Sequence, residues 1–319
     1  MSDPPVVAVL DRILSAERAA ELIPGARIVA DLGNPGDVTA IVAGPGTRLA
    51  DGLIESMTGL RIVASTSAGY DNLPVDRLAR RGAWVTSVPD YCVEEVADHA
   101  LALVLDLLRQ VSLHDRALHS GGWRVAPGAS GTPRRIAGTT LGILGLGRTG
   151  RGLARRASAL GMRVLAWAPR VPPAERPGGV ELVADLDTLL AAADVVSVHL
   201  ALTERTRGLL DRERLARLRP GAMLVNVARG PIVDGDALGE ALASGRLAGL
   251  ALDVYDVEPL PADHPLRASR AVLTPHIAWW SSDAVREGGE RAAAAVAAVL
   301  RGETPAGIVA RPAEPQGRP

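Results

Sequence analysis

Residues 139–150, Thr-Thr-Leu-Gly-Ile-Leu-Gly-Leu-Gly-Arg-Thr-Gly, restrict the possible folds more than any other stretch of the chain. An apolar run over 141–144 enters Gly145-x-Gly147-x-x-Gly150, and Leu153, Ala154, Ala157 and Leu160 then recur at helical spacing. That is a strand, a tight turn and a helix N-terminus. Glycines in such a turn let the main chain approach a pyrophosphate, held by unpaired N–H groups and the positive end of the helix dipole. In a chain with 34 glycines the hexad alone is weak evidence. Its context strengthens it, because a second β-rich run at 163–167 follows at the distance a βαβ unit requires.

A length of 319 residues suggests about two domains. At 47% hydrophobic and a net charge of −1, the chain can bury a large core. It offers no electrostatic case for nucleic acid or a membrane surface. The longest apolar tract, 292–300, is too short to span a bilayer, and no N-terminal run has the pattern of a signal peptide. The lone Cys92 excludes an internal disulfide framework and suits a reducing cytoplasm, the expected location. All 35 cationic side chains are arginine. The absence of lysine excludes a Walker A loop, a Schiff-base lysine and any dehydrogenase whose general acid is lysine. One cysteine cannot supply the usual thiolate zinc sites, and His114 and His119 share no clear face, so no metal is expected.

Over 1–90, short β-rich runs (6–10, 27–30, 40–43, 61–65 and 83–87) alternate with helical stretches such as 13–22 and 75–81. Strands separated by helices imply a parallel sheet covered on both faces. Residues 94–110 read as one long helix linking into a second domain. Residues 111–138 lose periodicity and gather glycine and proline, as interface or functional segments do. From Thr139, six β-rich runs (141–144, 163–167, 195–199, 223–227, 249–253 and 272–274) alternate with helical crossovers. An alanine-rich helix over 282–301 is expected to pack back on the first domain, with a Pro/Gly-rich tail frayed beyond about Ala310. The expected fold class is α/β, with two doubly wound parallel-sheet domains. A Rossmann dinucleotide-binding domain spans 106–280, and a smaller, flavodoxin-like substrate domain is discontinuous, over 1–105 and 281–319.

In a Rossmann sheet the second strand usually ends in Asp or Glu, which binds the adenosine ribose 2′-OH and repels a 2′-phosphate. About 18 residues past Gly150 that position holds Ala168, with Arg170 two residues on. The missing carboxylate leans the expectation toward NADP over NAD. One charge-assisted contact from Arg170 would be worth roughly 1.5–3 kcal/mol. The alternative reading of Arg170 is a solvated loop arginine, with NAD still bound.

Three later segments place polar residues at strand ends, where such sheets bind ligands. They are Asn226-Val227-Ala228-Arg229-Gly230, Leu252-Asp253-Val254-Tyr255-Asp256-Val257-Glu258-Pro259, and Thr274-Pro275-His276 followed by Ala278-Trp279-Trp280. Together with the Gly-Leu-Gly-Arg-Thr-Gly hexad, these segments resemble the D-isomer-specific 2-hydroxyacid dehydrogenase family. Residues 90–99 and 278–281 most resemble the branch containing the C-terminal-binding proteins and their bacterial relatives. Two departures from that pattern stand out, Ala168 in place of an acid and Ala201 where a proline is usual.

The resemblance implies a cytoplasmic enzyme that reduces a 2-oxo acid to the D-2-hydroxy acid by hydride transfer from NAD(P)H. His276 would be the acid/base, Glu258 would bind its other ring nitrogen, and Arg229 would hold the substrate's carboxylate and carbonyl oxygen. Coenzyme would lie against Gly145, Gly147, Arg148, Thr149, Gly150, Val227 and Asp253, with Ala168 and Arg170 at its adenosine end. Main-chain N–H groups at Ala68 and Gly69, beside Tyr70, would receive substrate from the first domain. Trp279 would be either an apolar wall for substrate or a domain-interface aromatic. His199 and His264 read as structural. Chemistry supports the acid/base assignment independently, since without lysine a His–Glu pair is the natural proton donor for carbonyl reduction. The alternative is a dinucleotide-sensing, corepressor-like binding protein with little turnover. The small-molecule partner is a 2-oxo or 2-hydroxy acid, neither nucleic acid nor membrane is expected, and residues 111–138 would pair two copies as a homodimer.

Overall fold

The computed structural model describes residues 3–123, 132–169, 171–172 and 177–313. The chain divides into two compact units, Met1–Cys92 with Trp280–Pro319, and Val93–Trp279. Strands and helices are numbered in chain order.

The first unit holds β1 (Val6–Leu10), β2 (Arg27–Val29), β3 (Val38–Ala43), β4 (Ile62–Ser65) and β5 (Trp84–Thr86), with α1 (Ala16–Leu22), α2 (Asp51–Ser56) and α3 (Val75–Arg80) between them. The returning chain adds α10 (Ser282–Leu300) and β13 (Ile308–Ala310), giving the order β13-β5-β4-β3-β1-β2. Every pairing is parallel except the edge pair β13–β5. This is the flavodoxin-like order with one antiparallel edge added. The central strand β3 reads Val-Thr-Ala-Ile-Val-Ala and is apolar on both faces, as a strand covered by helices on both sides requires. Helix α10 packs its Ala292, Ala293 and Val296 against Val7, Val42 and Ile62 of one face. A Cβ at Gly288 would lie 2.7 Å from the Thr66 carbonyl oxygen, so glycine lets this helix touch the sheet.

Two features of this unit differ from the sequence expectation. The tail carries the short edge strand β13, and Ala313 N–H donates to the Ala79 carbonyl at 2.8 Å. The backbone thus stays docked as far as Ala313, held by the sheet edge through β13 and by a carbonyl of α3, while residues 314–319 lie outside the described residues. Arg311 also stands over the Trp84 ring, 5.3 Å from its centroid.

The second unit contains β6 (Thr140–Leu144), β7 (Arg163–Trp167), β8 (Val180–Leu182), β9 (Val195–Val198), β10 (Ala222–Asn226), β11 (Leu247–Leu252) and β12 (Val272–Leu273). All are parallel, in the order β12-β11-β10-β9-β6-β7-β8. Strand order reverses between β6 and β9, which is where sheets of this class hold a ligand. Its helices are α4 (Val93–Arg109), α5 (Val111–His119), α6 (Arg148–Ala159), α7 (Leu186–Ala192), α8 (Arg212–Arg217) and α9 (Gly235–Ala243). Helices α7, α8 and α9 begin on Asp185, Asp211 and Asp234, each accepting a backbone N–H in the first turn.

The long helix α4 falls wholly in this unit rather than being cut near 105. Its Ala100, Leu103, Val104, Leu107 and Leu108 join the core against Leu141, Ile143 and Leu153. Burying each large aliphatic chain there contributes roughly 1.5–3 kcal/mol. A Cβ at Gly152 would come within 2.8 Å of Ala97 Cβ, so glycine sets the close approach of α6 to α4. Residues 111–138 do not open as an irregular segment. Gln110 turns left-handed (φ 58°), and α5 starts with Ser112 N–H bonded to Asp106 at 2.8 Å. The sheet also holds a seventh strand, β8, at an edge where one short half-exposed run left no periodic signal. No helix among the described residues is long and apolar enough to cross a membrane.

Candidate functional site

The glycine hexad forms the turn its spacing requires. Gly145 is left-handed (φ 97°), and a Cβ there would lie 2.7 Å from the His199 carbonyl oxygen. A Cβ on Gly150 would lie 2.1 Å from the Gly145 carbonyl oxygen, leaving no room for any side chain. Gly147 caps α6 without a side-chain hydrogen bond, and a Cβ on it would meet nothing within 4 Å. The N–H groups of the first helical turn therefore face an open approach beside Arg148 and Thr149. Gly145 N–H donates to the Trp167 carbonyl at 3.0 Å, tying the end of β7 to this turn. Ala168 follows directly and is 9% exposed. Arg170 lies outside the described residues.

His199 bridges the turn to β9, with Nδ1 3.2 Å from Thr149 Oγ1 and Nε2 3.0 Å from Ser197 Oγ. Burial pushes its pKa from 6.5 down to about 4, so the ring is neutral and structural near neutrality. An unfolded histidine takes up a proton below pH ~6.5, whereas the folded one resists to about pH 4. The stabilising contribution of the neutral ring is therefore complete above pH ~6.5 and lost as pH falls toward 4. The residue edge keeps some solvent contact, so about 3 kcal/mol is the upper bound of that loss. Denaturant unfolding at pH 7 and 4.5 tests it: His199→Gln should lose roughly 2 kcal/mol less than the wild type across that interval. Equal losses would contradict the assignment.

At the end of β10, Asn226 is buried and staples the following turn. Its Oδ1 accepts Ala228 N–H at 3.0 Å, and its Nδ2 donates to the Arg229 carbonyl at 2.9 Å. Val227, next to it, is 8% exposed. Gly230 packs on the backbone of the next loop, where a Cβ would lie 2.1 Å from the Tyr255 carbonyl carbon. The Arg229 turn and the loop bearing Glu258 are thus in direct backbone contact. Arg229 Nη1 donates to the Ala228 carbonyl at 2.8 Å.

Glu258 Oε1 accepts Tyr255 N–H at 2.9 Å, and Oε2 lies 2.6 Å from His276 Nδ1. Burial acts to raise the Glu258 pKa. The His276 hydrogen bond, the Tyr255 N–H and the charges of His276 and Arg229 outweigh it, and the net shift is downward. An ionised carboxylate only accepts, so Nδ1 carries a proton and Nε2 is left as the nitrogen that can gain or release one.

His276 has left-handed backbone (φ 56°), which costs a non-glycine residue on the order of 1–3 kcal/mol. Asp253 holds that conformation. Its carbonyl accepts His276 N–H at 2.8 Å, Oδ1 accepts Ile277 N–H at 2.9 Å, and Oδ2 accepts Ala278 N–H at 2.9 Å. Asp253 is fully buried, and its carboxylate is taken up by the turn that presents His276. Trp279 Nε1 donates to the His276 carbonyl at 3.0 Å, so this indole braces the same turn. The second unit thus brings Arg229, Asp253, Glu258, His276 and Trp279 together. Ala68, Gly69 and Tyr70 belong to the first unit, where Ser67 Oγ donates to the Gly69 carbonyl at 2.7 Å and Tyr70 is 40% exposed. The sequence reading missed Asn226 and Thr274 as structural actors, although each is a polar residue closing an apolar strand. It also missed His99, which no local pattern marks. His264 is structural, its Nδ1 accepting Leu266 N–H at 3.2 Å.

Residues 101–278 match the family model for the D-isomer specific 2-hydroxyacid dehydrogenase, NAD binding domain. The chain belongs to the D-isomer specific 2-hydroxyacid dehydrogenase family. It is 40% identical over 260 residues to a glyoxylate reductase of Korarchaeum cryptofilum, covering 81% of this chain and 78% of that one. It is 36% identical over 310 residues to the D-3-phosphoglycerate dehydrogenase of Mycobacterium leprae, covering 94% of this chain and 58% of that longer one. The crystal structure of a glyoxylate reductase from Paecilomyes thermophila superposes with a TM-score of 0.85 at 30% identity, covering 97% of this chain and 99% of that one. The NAD(P) coenzyme of such a dehydrogenase fits the residues present, because the uncapped N-terminus of α6 and the bare Gly147 leave a cradle of the kind a pyrophosphate fills. Among the described residues of this dehydrogenase, no cluster of three or more His, Cys, Asp or Glu could hold a metal ion.

Proposed function

We propose that the protein reduces a 2-oxo acid to the D-2-hydroxy acid, reversibly, with His276 as the acid/base. The observation that carries this reading is the 2.6 Å contact between His276 Nδ1 and Glu258, in a site where Arg229 adds its charge. The reduced nicotinamide, when bound, supplies the hydride. His276 delivers a proton from Nε2 to the carbonyl oxygen, and Glu258 steadies the charged ring until it does. Arg229 presents its planar fork to the substrate's carboxylate and carbonyl oxygen, neutralising charge that grows on that oxygen. In oxidation the neutral ring takes the hydroxyl proton on the same nitrogen. The glyoxylate reductases among the relatives favour small 2-oxo acids as substrates. An intact Arg–Glu–His set favours turnover over a purely coenzyme-sensing role. The test is coenzyme oxidation in the presence of a panel of 2-oxo acids. Turnover of at least one supports the reading, and coenzyme binding with no turnover of any overturns it.

For the coenzyme, the missing acid at Ala168 supports a preference for NADPH over NADH. Ala168→Asp should swing the ratio of catalytic efficiencies toward NADH on the order of 10–100-fold. A wild type that strongly prefers NADH would discard the preference. Helix α5 leaves Val111 and Leu118 64% and 56% exposed one above the other, and Trp123 is 86% exposed. This apolar surface supports a homodimer contact within residues 111–138, of which 124–131 lie outside the described residues. Sedimentation finding only monomer at micromolar concentration would remove it.

A further inference from the structure

We propose that His99 is a positioning residue for His276, acting through the Thr274 hydroxyl and the Asp253 carboxylate. The inference deepens the proposed dehydrogenase function and rests on it. His99 Nε2 lies 3.1 Å from Thr274 Oγ1, and Thr274 Oγ1 lies 2.6 Å from Asp253 Oδ1. The direction of this chain follows from donor inventory. A carboxylate accepts, so the single hydroxyl proton of Thr274 goes to Asp253, and the hydroxyl oxygen must accept from His99 Nε2–H.

The consequence is that Thr274 is gripped on three sides. His99 and Asp253 fix its side chain, and Tyr255 Oη donates to its carbonyl at 2.9 Å. Asp253 in turn holds the N–H groups of Ile277 and Ala278 on the far side of the left-handed His276. His99 sits in the first half of α4, whose apolar face is part of the core under the sheet. The turn that aims the imidazole is thereby referenced to a long packed helix as well as to its own loop. Without the His99 donor, the Thr274 hydroxyl is held from one side only, and the bond it gives the fully buried Asp253 carboxylate, one of three that carboxylate accepts, is weakened. His99 Nε2 also lies 3.7 Å from Asp253 Oδ1, so it is close enough to act on that buried carboxylate directly.

The experiment compares the full-length wild type with His99→Leu, His99→Gln, Thr274→Val and Thr274→Ser. Displacing a reacting group by about 1 Å can cost 10²-fold. His99→Leu and Thr274→Val should therefore each lower kcat on the order of 10–100-fold, with KM for the 2-oxo acid and coenzyme held within about threefold. Glutamine places an N–H near the original Nε2, so His99→Gln should keep kcat within about threefold of wild type, as should Thr274→Ser with its retained hydroxyl. Because the two groups act as one chain, the double variant His99→Leu/Thr274→Val should be no slower than about twice the worse single. Amide exchange at Ile277 and Ala278 should quicken about tenfold in both disruptive variants and recover in the conservative ones. Unchanged kcat and exchange in His99→Leu would overturn the proposal. So would losses that multiply in the double variant, or losses that fall on KM with no rescue by glutamine. Should His99→Leu fail to fold, the Thr274 pair and the glutamine variant decide by the same readings. A wild type that turns over no 2-oxo acid sinks the dehydrogenase reading instead, while the exchange measurement still tests the link from His99 to the turn.

Discussion

His276→Ala should lower kcat for 2-oxo acid reduction on the order of 10²–10⁴-fold, the range a positioned general acid contributes. The imidazole is the one group in the cluster whose proton is both held and releasable. Its Nδ1 is committed to Glu258 at 2.6 Å, and its Nε2 is not part of that pair. Glu258→Gln should act in the same direction more weakly, because an amide can still accept the Nδ1 hydrogen bond but supplies no charge to the ring. Coenzyme affinity should stay within a few-fold in both, since the glycine turn is untouched. Near-wild-type turnover by His276→Ala would refute the assignment.

Gly230→Ala should be nearly as damaging, although the added methyl group carries no chemistry. Its Cβ would lie 2.1 Å from the Tyr255 carbonyl carbon and 2.5 Å from Asp256 N, both backbone atoms that cannot swing aside. Relief requires the Arg229 turn and the Glu258 loop to separate, which moves two of the three reacting side chains relative to the third. A shift of about 1 Å corresponds to a loss on the order of 10²-fold in kcat/KM, and overpacking costs a further ~1–3 kcal/mol in stability. The control is Gly239→Ala on the same unit, where a Cβ meets nothing within 4 Å. It should leave kcat/KM unchanged and, lying mid-helix in α9, keep or slightly raise stability. A Gly230→Ala enzyme with wild-type kinetics would show that the two loops tolerate separation.

The parts of the site legible in the sequence are those whose chemistry is local. The hexad at 145–150 specifies its turn through steric exclusion between Gly145 and Gly150, five residues apart. Arg229, Glu258 and His276 each follow an apolar strand, so their arrival at one edge of a parallel sheet follows from topology. What the sequence conceals are contacts between distant positions and conformations that context imposes. His99 meets Thr274 across 175 residues. The left-handed backbone of His276 is held by Asp253, whose bonds to Ile277 and Ala278 N–H reach across 24 and 25 residues. Edge strands were equally hidden. Strand β8 is three residues long with a central exposed glutamate, and β13 sits in a glycine- and proline-rich tail. Neither carries the continuous apolar run that marks an interior strand such as β10. Helix α5 was hidden for a related reason. None of its nine residues is buried, and it opens a segment in which glycine and proline gather.

The measurement closest to the central claim is the pH dependence of both directions of the reaction, with hydride transfer shown to limit the rate. A single imidazole that must be protonated to reduce and neutral to oxidise gives opposite profiles. Reduction of the 2-oxo acid should fall as pH rises, oxidation of the D-2-hydroxy acid should rise with it, and His276→Ala should abolish both dependences. Two flat profiles, or two that move in the same direction, would mean that His276 does not carry the proton.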